Sequence, residues 1–178
     1  IKSSAASDVY KRQLKSLIRI PSEKQAAEPG KPFGAPAAEA LAQGSRILEK
    51  YGFAVTNYDN YAIAADFNGE EKGLDILAHL DVVPAGEGWQ ETDPFTPLVK
   101  DGKMFGRGTA DDKGPAIAAI YAMRAVKELG FPLKKNVRLV LGSDEECGSS
   151  DLEYYYKKET EAPCCLLYTS DAADDLIG

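Results

Sequence analysis

Residues 74–84 read LDILAHLDVVP. An apolar run rises to His79, passes Asp81 and closes on Pro84; His79 is the only histidine in the chain. The run predicts a strand over Leu74–Val83, buried on both faces as strands are in the middle of an α/β sheet. A strand's period of two sets His79 and Asp81 on one face. A carboxylate beside an imidazole can hold one ring nitrogen and direct the other at a metal or a proton. The stretch alone also fits a core histidine hydrogen-bonded to a neighbour.

Upstream, Phe53–Thr56 and Tyr61–Phe67 alternate like strands around the turn residues Asn57–Asn60, which predicts a hairpin. Ala37–Tyr51 has Leu41, Ile47, Leu48 and Tyr51 at helical spacing, with Gly52 as the stop. Residues 22–36 read as a loop, and Leu14–Ile20 as the end of a helix halted by Pro21; no period is visible in residues 1–13. Downstream, residues 85–96 form a loop in which Trp89 is expected to bury as an anchor. Asp101-Gly102 signals a second hairpin over residues 97–106. Pro115–Leu129 predicts an amphipathic helix with Ile117, Ile120, Tyr121, Val126 and Leu129 inward and Gly130 at its end. Asn136–Leu141 is a further strand, and Ser150 with Glu153 reads as a capping box for a Tyr-rich helix. The expected fold is α/β: a mixed sheet with helices on both faces.

A chain of 178 residues suits one domain with a sizeable core. A net charge of −7 without a basic block argues against nucleic acid as a partner. No apolar stretch has the length of a membrane span, and no export signal is visible. Three cysteines, of which Cys164 and Cys165 are adjacent, suit a reducing, cytoplasmic setting.

Three clusters carry candidate chemistry: His79/Asp81, Asp111/Asp112 and Glu145/Glu146. Each follows a predicted strand or precedes a helix, and strand carboxyl ends line the ligand crevice of open α/β sheets. Acidic clusters converging there repel one another unless a cation neutralises them, and imidazole with carboxylates suits zinc or manganese. Taken singly, the pieces have plainer readings. Asp111-Asp112 fits a solvated turn before a helix, Glu145-Glu146 exposed loop charge, Lys113 a surface or ion-paired lysine, and Cys147 a small strand-end residue. There is no phosphate loop and no dinucleotide fingerprint. Adjacent strand residues point to opposite faces, so Glu145 and Glu146 can share a site only if the strand has ended or bent; Gly142 and Gly148 permit that.

The motifs HLDVVP (79–84), a loose GWxxxPF (88–95), DGKMFGRGTADDKGP (101–115) and SDEECGS (143–149), in that order, resemble the di-zinc peptidases. That family includes aminoacylase, glutamate carboxypeptidase, succinyl-diaminopimelate desuccinylase and, nearest in appearance, the PepV-type bacterial dipeptidases. The resemblance covers about Leu14–Pro163. It implies a zinc-peptidase catalytic domain holding two Zn2+ ions, with Mn2+ or Co2+ as alternatives. His79 and Glu146 would each ligate a metal and Asp111 would bridge both. Asp81 would orient His79, and Glu145 would be the general base for a metal-bridging water. Asp112 receives no ligand role. The implied activity is hydrolysis of dipeptides. The alternatives are an amidohydrolase of N-acyl amino acids, or a non-catalytic fragment or metal-binding module.

The family also uses a downstream acidic ligand and a second histidine, so the catalytic domain is expected to be C-terminally incomplete here. Residues 1–13 and 164–178 resemble translated sequencing-adaptor read-through and are expected to be non-native, with residues 14–163 as the natural part. Asp171 has a superficial likeness to the family's downstream ligand and is set aside with that tail.

Overall fold

The computed structural model describes residues 3–159 and 166–168. Cys164, Cys165 and Asp171 lie outside the described residues. The chain runs α1 (Ser3–Ile18), α2 (Ala35–Lys50), β1 (Ala54–Tyr58), β2 (Ala62–Asp66), β3 (Lys72–His79), β4 (Leu98–Lys100) and β5 (Lys103–Phe105). It continues through α3 (Lys113–Glu128), β6 (Asn136–Gly142), a 3₁₀ turn (Glu145–Cys147), α4 (Ser150–Lys158) and β7 (Leu166–Tyr168).

Five strands form one sheet in the order β1-β2-β6-β3-β7. β1, β2 and β6 pair antiparallel, whereas β6, β3 and β7 run parallel, so the sheet is mixed. β4 and β5 make a separate hairpin around Asp101 and Gly102, both at positive φ, as its turn signal predicts. The first hairpin also forms, with its turn centred one residue later than expected on Asp59 and Asn60.

One face of the sheet is covered by α1, α2 and α3. Leu17, Ile18, Leu41, Leu48, Ile117 and Ile120 from these helices meet Ile63, Ile76, Leu80, Leu139 and Leu141 in a single core. Each such fully buried Leu or Ile stabilises the fold by about 1.5–3 kcal/mol. The other face carries α4, whose Tyr155 packs on Ala62, Ala64, Leu77 and Val140. Helices therefore lie on both faces, and the α/β expectation holds.

Several local expectations do not hold. β3 ends at His79 rather than Val83, because Leu80–Val83 leave the sheet while staying almost wholly buried. There Leu80 N donates to Gly142 O (3.0 Å) and Val82 N to Ser22 O (3.2 Å). The aperiodic start is helical from Ser3, and Tyr10 and Gln13 are tied in through Tyr121 and Tyr51. Leu129 lies past the last turn of α3 and is exposed. Trp89 is not an anchor: it is exposed, donates to Ala85 O (2.9 Å) and stands beside the Arg107 guanidinium. The capping box does not form, because Ser149 is the N-cap, Ser150 Oγ donates to Asp144 and Glu153 pairs with Lys157. Cys147 is not at a strand end; it is a free, exposed thiol in the 3₁₀ turn.

Candidate metal centre

β3 and β6 are parallel neighbours, and their register sets His79 opposite Gly142. The two carboxyl ends thus open at one level, each followed by an acidic segment. His79 is the last residue of β3 and is buried. Its Nδ1 faces two acceptors of the buried Asp81, the carbonyl O at 3.1 Å and Oδ1 at 3.3 Å. That environment keeps a hydrogen on Nδ1 and turns Nε2 toward the crevice. Nε2 lies 3.1 Å from Asp111 Oδ1 and 3.6 Å from Glu145 Oε2.

Asp111 and Asp112 precede α3 and are joined by a cis peptide bond. Asp111 reaches outward to His79, while Asp112 is buried and accepts the backbone N–H of His79 at 3.0 Å. Lys113 is neither a surface lysine nor a carboxylate's hydrogen-bonded partner. It is fully buried, and its ammonium donates to Leu17 O (3.1 Å) and Ile20 O (2.8 Å) at the end of α1. Burial lowers its pKa to about 7, against the pull of Asp81.

Beyond β6 the chain turns in a 3₁₀ helix that Gly148 ends in the left-handed region (φ +108°). This turn meets the demand that Glu145 and Glu146 face one site. Glu146 N donates to Asp81 Oδ2 at 3.1 Å, so Asp81 holds both His79 and the Glu146 backbone. Asp144 is buried and faces away, toward Lys24 Nζ (2.6 Å) and Ser150. Ligand atoms of His79, Asp111 and Glu146 lie within 4.8 Å of one another.

The local field favours a cation. Burial alone would lower the pKa of His79, yet the hydrogen bond and charge of Asp81, with the charges of Asp112 and Glu145, raise it to about 10. The carboxylates therefore hold a proton on Nε2 at neutral pH. An imidazole nitrogen and two carboxylates converging within these distances are a donor set that fits zinc or manganese.

The sequence model of Peptidase family M20/M25/M40 matches residues 76–170, more than half of the chain. The chain belongs to this peptidase family. YtjP of Bacillus subtilis is 39% identical over 150 residues, covering 83% of this chain and 32% of that protein. The Beta-Ala-Xaa dipeptidase of Lactobacillus delbrueckii subsp. lactis is 39% identical over 178 residues, covering 98% of this chain and 37% of its own length. Human carnosine dipeptidase 1 superposes with a TM-score of 0.74 at 29% identity, over 88% of this chain and 36% of the human one. The chain spans about a third of the length of these relatives. Among the described residues no helix is long and apolar enough to cross a membrane.

In this M20/M25/M40 chain the five residues singled out from sequence, His79, Asp81, Asp111, Glu145 and Glu146, all meet at one site. Asp112, left without a role, proves to brace His79 from behind. Its signal was available: a second acid beside a candidate ligand, just before a helix whose first turn is buried. Lys113 was misread because a charged residue ordinarily stays in water, whereas here two helix-end carbonyls receive its donors.

Proposed function

We propose that this chain supplies part of the active site of a metal-dependent dipeptidase, with His79, Asp111 and Glu146 as metal ligands and Glu145 as general base. The observation that carries the reading is the convergence of three ligand atoms within 4.8 Å, with a third acid, Glu145, 3.6 Å from His79 Nε2. The names of the Lactobacillus and human relatives support a dipeptide substrate. The free thiol of Cys147 suits a reducing, cytoplasmic compartment.

When bound, zinc held by His79, Asp111 and Glu146 would polarise the scissile carbonyl and lower the proton affinity of the attacking water. Asp81 fixes the His79 ring so that Nε2 faces the ligand set. Glu145 takes a proton from the water as its oxygen bonds to the carbonyl carbon. It then delivers that proton to the amine nitrogen as the C–N bond breaks.

The test is a substrate panel of dipeptides, β-alanyl dipeptides and N-acyl amino acids. Each is offered with zinc, manganese or cobalt to the chain, alone and within a longer protein that carries it. Dipeptide cleavage that a chelator abolishes is expected. Glu145→Gln should lower it by about 10²–10⁴-fold with metal affinity retained. Turnover of N-acyl amino acids alone would move the reading to an amidohydrolase, and chelator-resistant cleavage would remove the metal from it.

A further inference from the structure

Glu145 and Glu146 are neighbours in sequence, and only the turn after β6 brings both to His79. That turn has no apolar residue in the core. Its entry is instead wrapped around the carboxylate of Asp151, in the first turn of α4 and outside every motif that marks the site. Oδ2 of Asp151 accepts the backbone N–H of Ser143 (2.5 Å) and of Asp144 (2.9 Å), and Oδ1 accepts that of Leu152 (2.7 Å). Asp151 is fully buried. From these contacts we infer that Asp151 is a positioning residue, which fixes the direction of the chain leaving β6 and so delivers Glu145 and Glu146 to the metal site. The inference rests on the proposed function for the meaning of the site, but not for the geometry of the turn.

Two features show that the strand end is fitted to this carboxylate. A Cβ on Gly142 would lie 2.3 Å from Asp151 Oδ2, so only glycine leaves room for it. Gly142 is also the register partner of His79, which sets the carboxylate at the level of the site. The second feature is chemical. A buried carboxylate is costly unless its lone pairs are used, and here both oxygens are bonded to backbone donors. An asparagine in its place has one acceptor oxygen, and its NH2 group would confront at least one N–H. The role therefore calls for Asp and not for an isostere. Asp81 does the complementary work at the far side of the turn, accepting Glu146 N. Asp81 also touches His79, whereas Asp151 acts through the backbone alone.

The experiment uses the full chain with Cys164→Ser and Cys165→Ser, so that Cys147 on the turn can carry a single nitroxide label. Asp151→Asn and Gly142→Ala are compared with the parent, and with Leu152→Ala as a control that perturbs α4 packing without touching the turn's acceptors. Unlabelled proteins are titrated with zinc, and their cobalt forms are examined by visible absorption. We expect Asp151→Asn and Gly142→Ala to narrow the nitroxide spectrum, weaken zinc binding by about 10–100-fold and alter the cobalt d–d bands. Leu152→Ala should lower the melting temperature and leave all three unchanged. A folded Asp151→Asn chain with parental label mobility and zinc affinity overturns the inference. Should neither turn variant fold, amide exchange in the parent decides. Slow exchange at Ser143 and Asp144 upholds the inference, and exchange at the rate of free loop amides overturns it. A parent that binds no zinc refutes the metal reading, while the label and the amide exchange still judge Asp151.

Discussion

The ends of β3 and β6 lie side by side, yet they present their site residues by different means. At the end of β3 the proposed ligand is the last residue of the strand, and the groups that aim it are side chains: Asp81 on the ring of His79, Asp112 on its N–H. At the end of β6 the strand has stopped three residues before Glu145, and what aims Glu145 and Glu146 is the path of the backbone. Asp151 collects the amides at the start of that path, and Asp81 collects one at its end. A regular strand can deliver one ligand per two residues on a given face. Two adjacent residues that serve one site require leaving the strand, and the departure must then be stabilised by acceptors from elsewhere.

The largest expected effect is at the β3 end. His79→Ala removes the imidazole donor from the cluster and should abolish zinc binding in a calorimetric titration. Asp81→Asn keeps all three proposed ligands but disturbs the His79 ring and the Glu146 backbone together, and should cost about 10–100-fold in zinc affinity. If Asp81→Asn binds zinc as tightly as the parent, the two strand ends are not linked through Asp81.

The next effect separates stability from site geometry. Leu80 and Leu141 are both fully buried in the core under α2 and α3. Leu80 lies between His79 and Asp81, past the end of β3, whereas Leu141 is inside β6. Either leucine changed to alanine should cost about 2–5 kcal/mol in urea unfolding. Only Leu80→Ala should also weaken zinc binding in the folded population, because Leu80 pins the short segment that carries Asp81. Equal zinc affinity in the two variants would show that Asp81 is held without Leu80.

This contrast also explains what could be read from sequence. The β3 end was legible because its information is local: an apolar strand, a histidine and a carboxylate two residues on. The hairpin at Asp101-Gly102 and the helix after Pro115 were legible for the same reason, since turn chemistry and a 3.6-residue period act over short spans. The strand's end was misplaced by four residues, because Leu80–Val82 remain buried after leaving the sheet and apolar content cannot distinguish the two states. The β6 end was legible only as a requirement, that the strand stop before Glu145. Asp151, which meets it, lies eight residues from its amide partner Ser143 and resembles any acidic residue in the first turn of a helix. Lys113 and Trp89 were exchanged in burial for one reason. Composition assigns lysine to water and indole to the core, whereas the carbonyls of Leu17 and Ile20 at the end of α1 accept the lysine's donors and an open loop leaves the indole outside.

The smallest expected effect is a pH response that nearly cancels in the parent chain. His79 in the metal-free protein has its pKa raised from 6.5 to about 10, so folding takes up a proton. The stability it contributes is complete below about pH 6.5 and is lost as pH rises through 10. Lys113 has its pKa lowered from 10.5 to about 7, so folding releases a proton. Its penalty is complete below pH 7 and is relieved as pH rises toward 10.5. The two slopes oppose each other between pH 7 and 9, below the range where Cys147, its thiol pKa raised by burial, gives up its proton. Burial also raises the pKa of the Asp151 carboxyl. Urea unfolding with a chelator present should thus be nearly flat across this window in the parent. Lys113→Met should expose the His79 slope, with stability falling as pH rises, and His79→Gln should expose the Lys113 slope, with stability rising. Parallel slopes in all three chains would mean that the β3 end is not the charge-sensitive one. The division between a strand end aimed by ionisable side chains and one aimed by backbone amides would then fail.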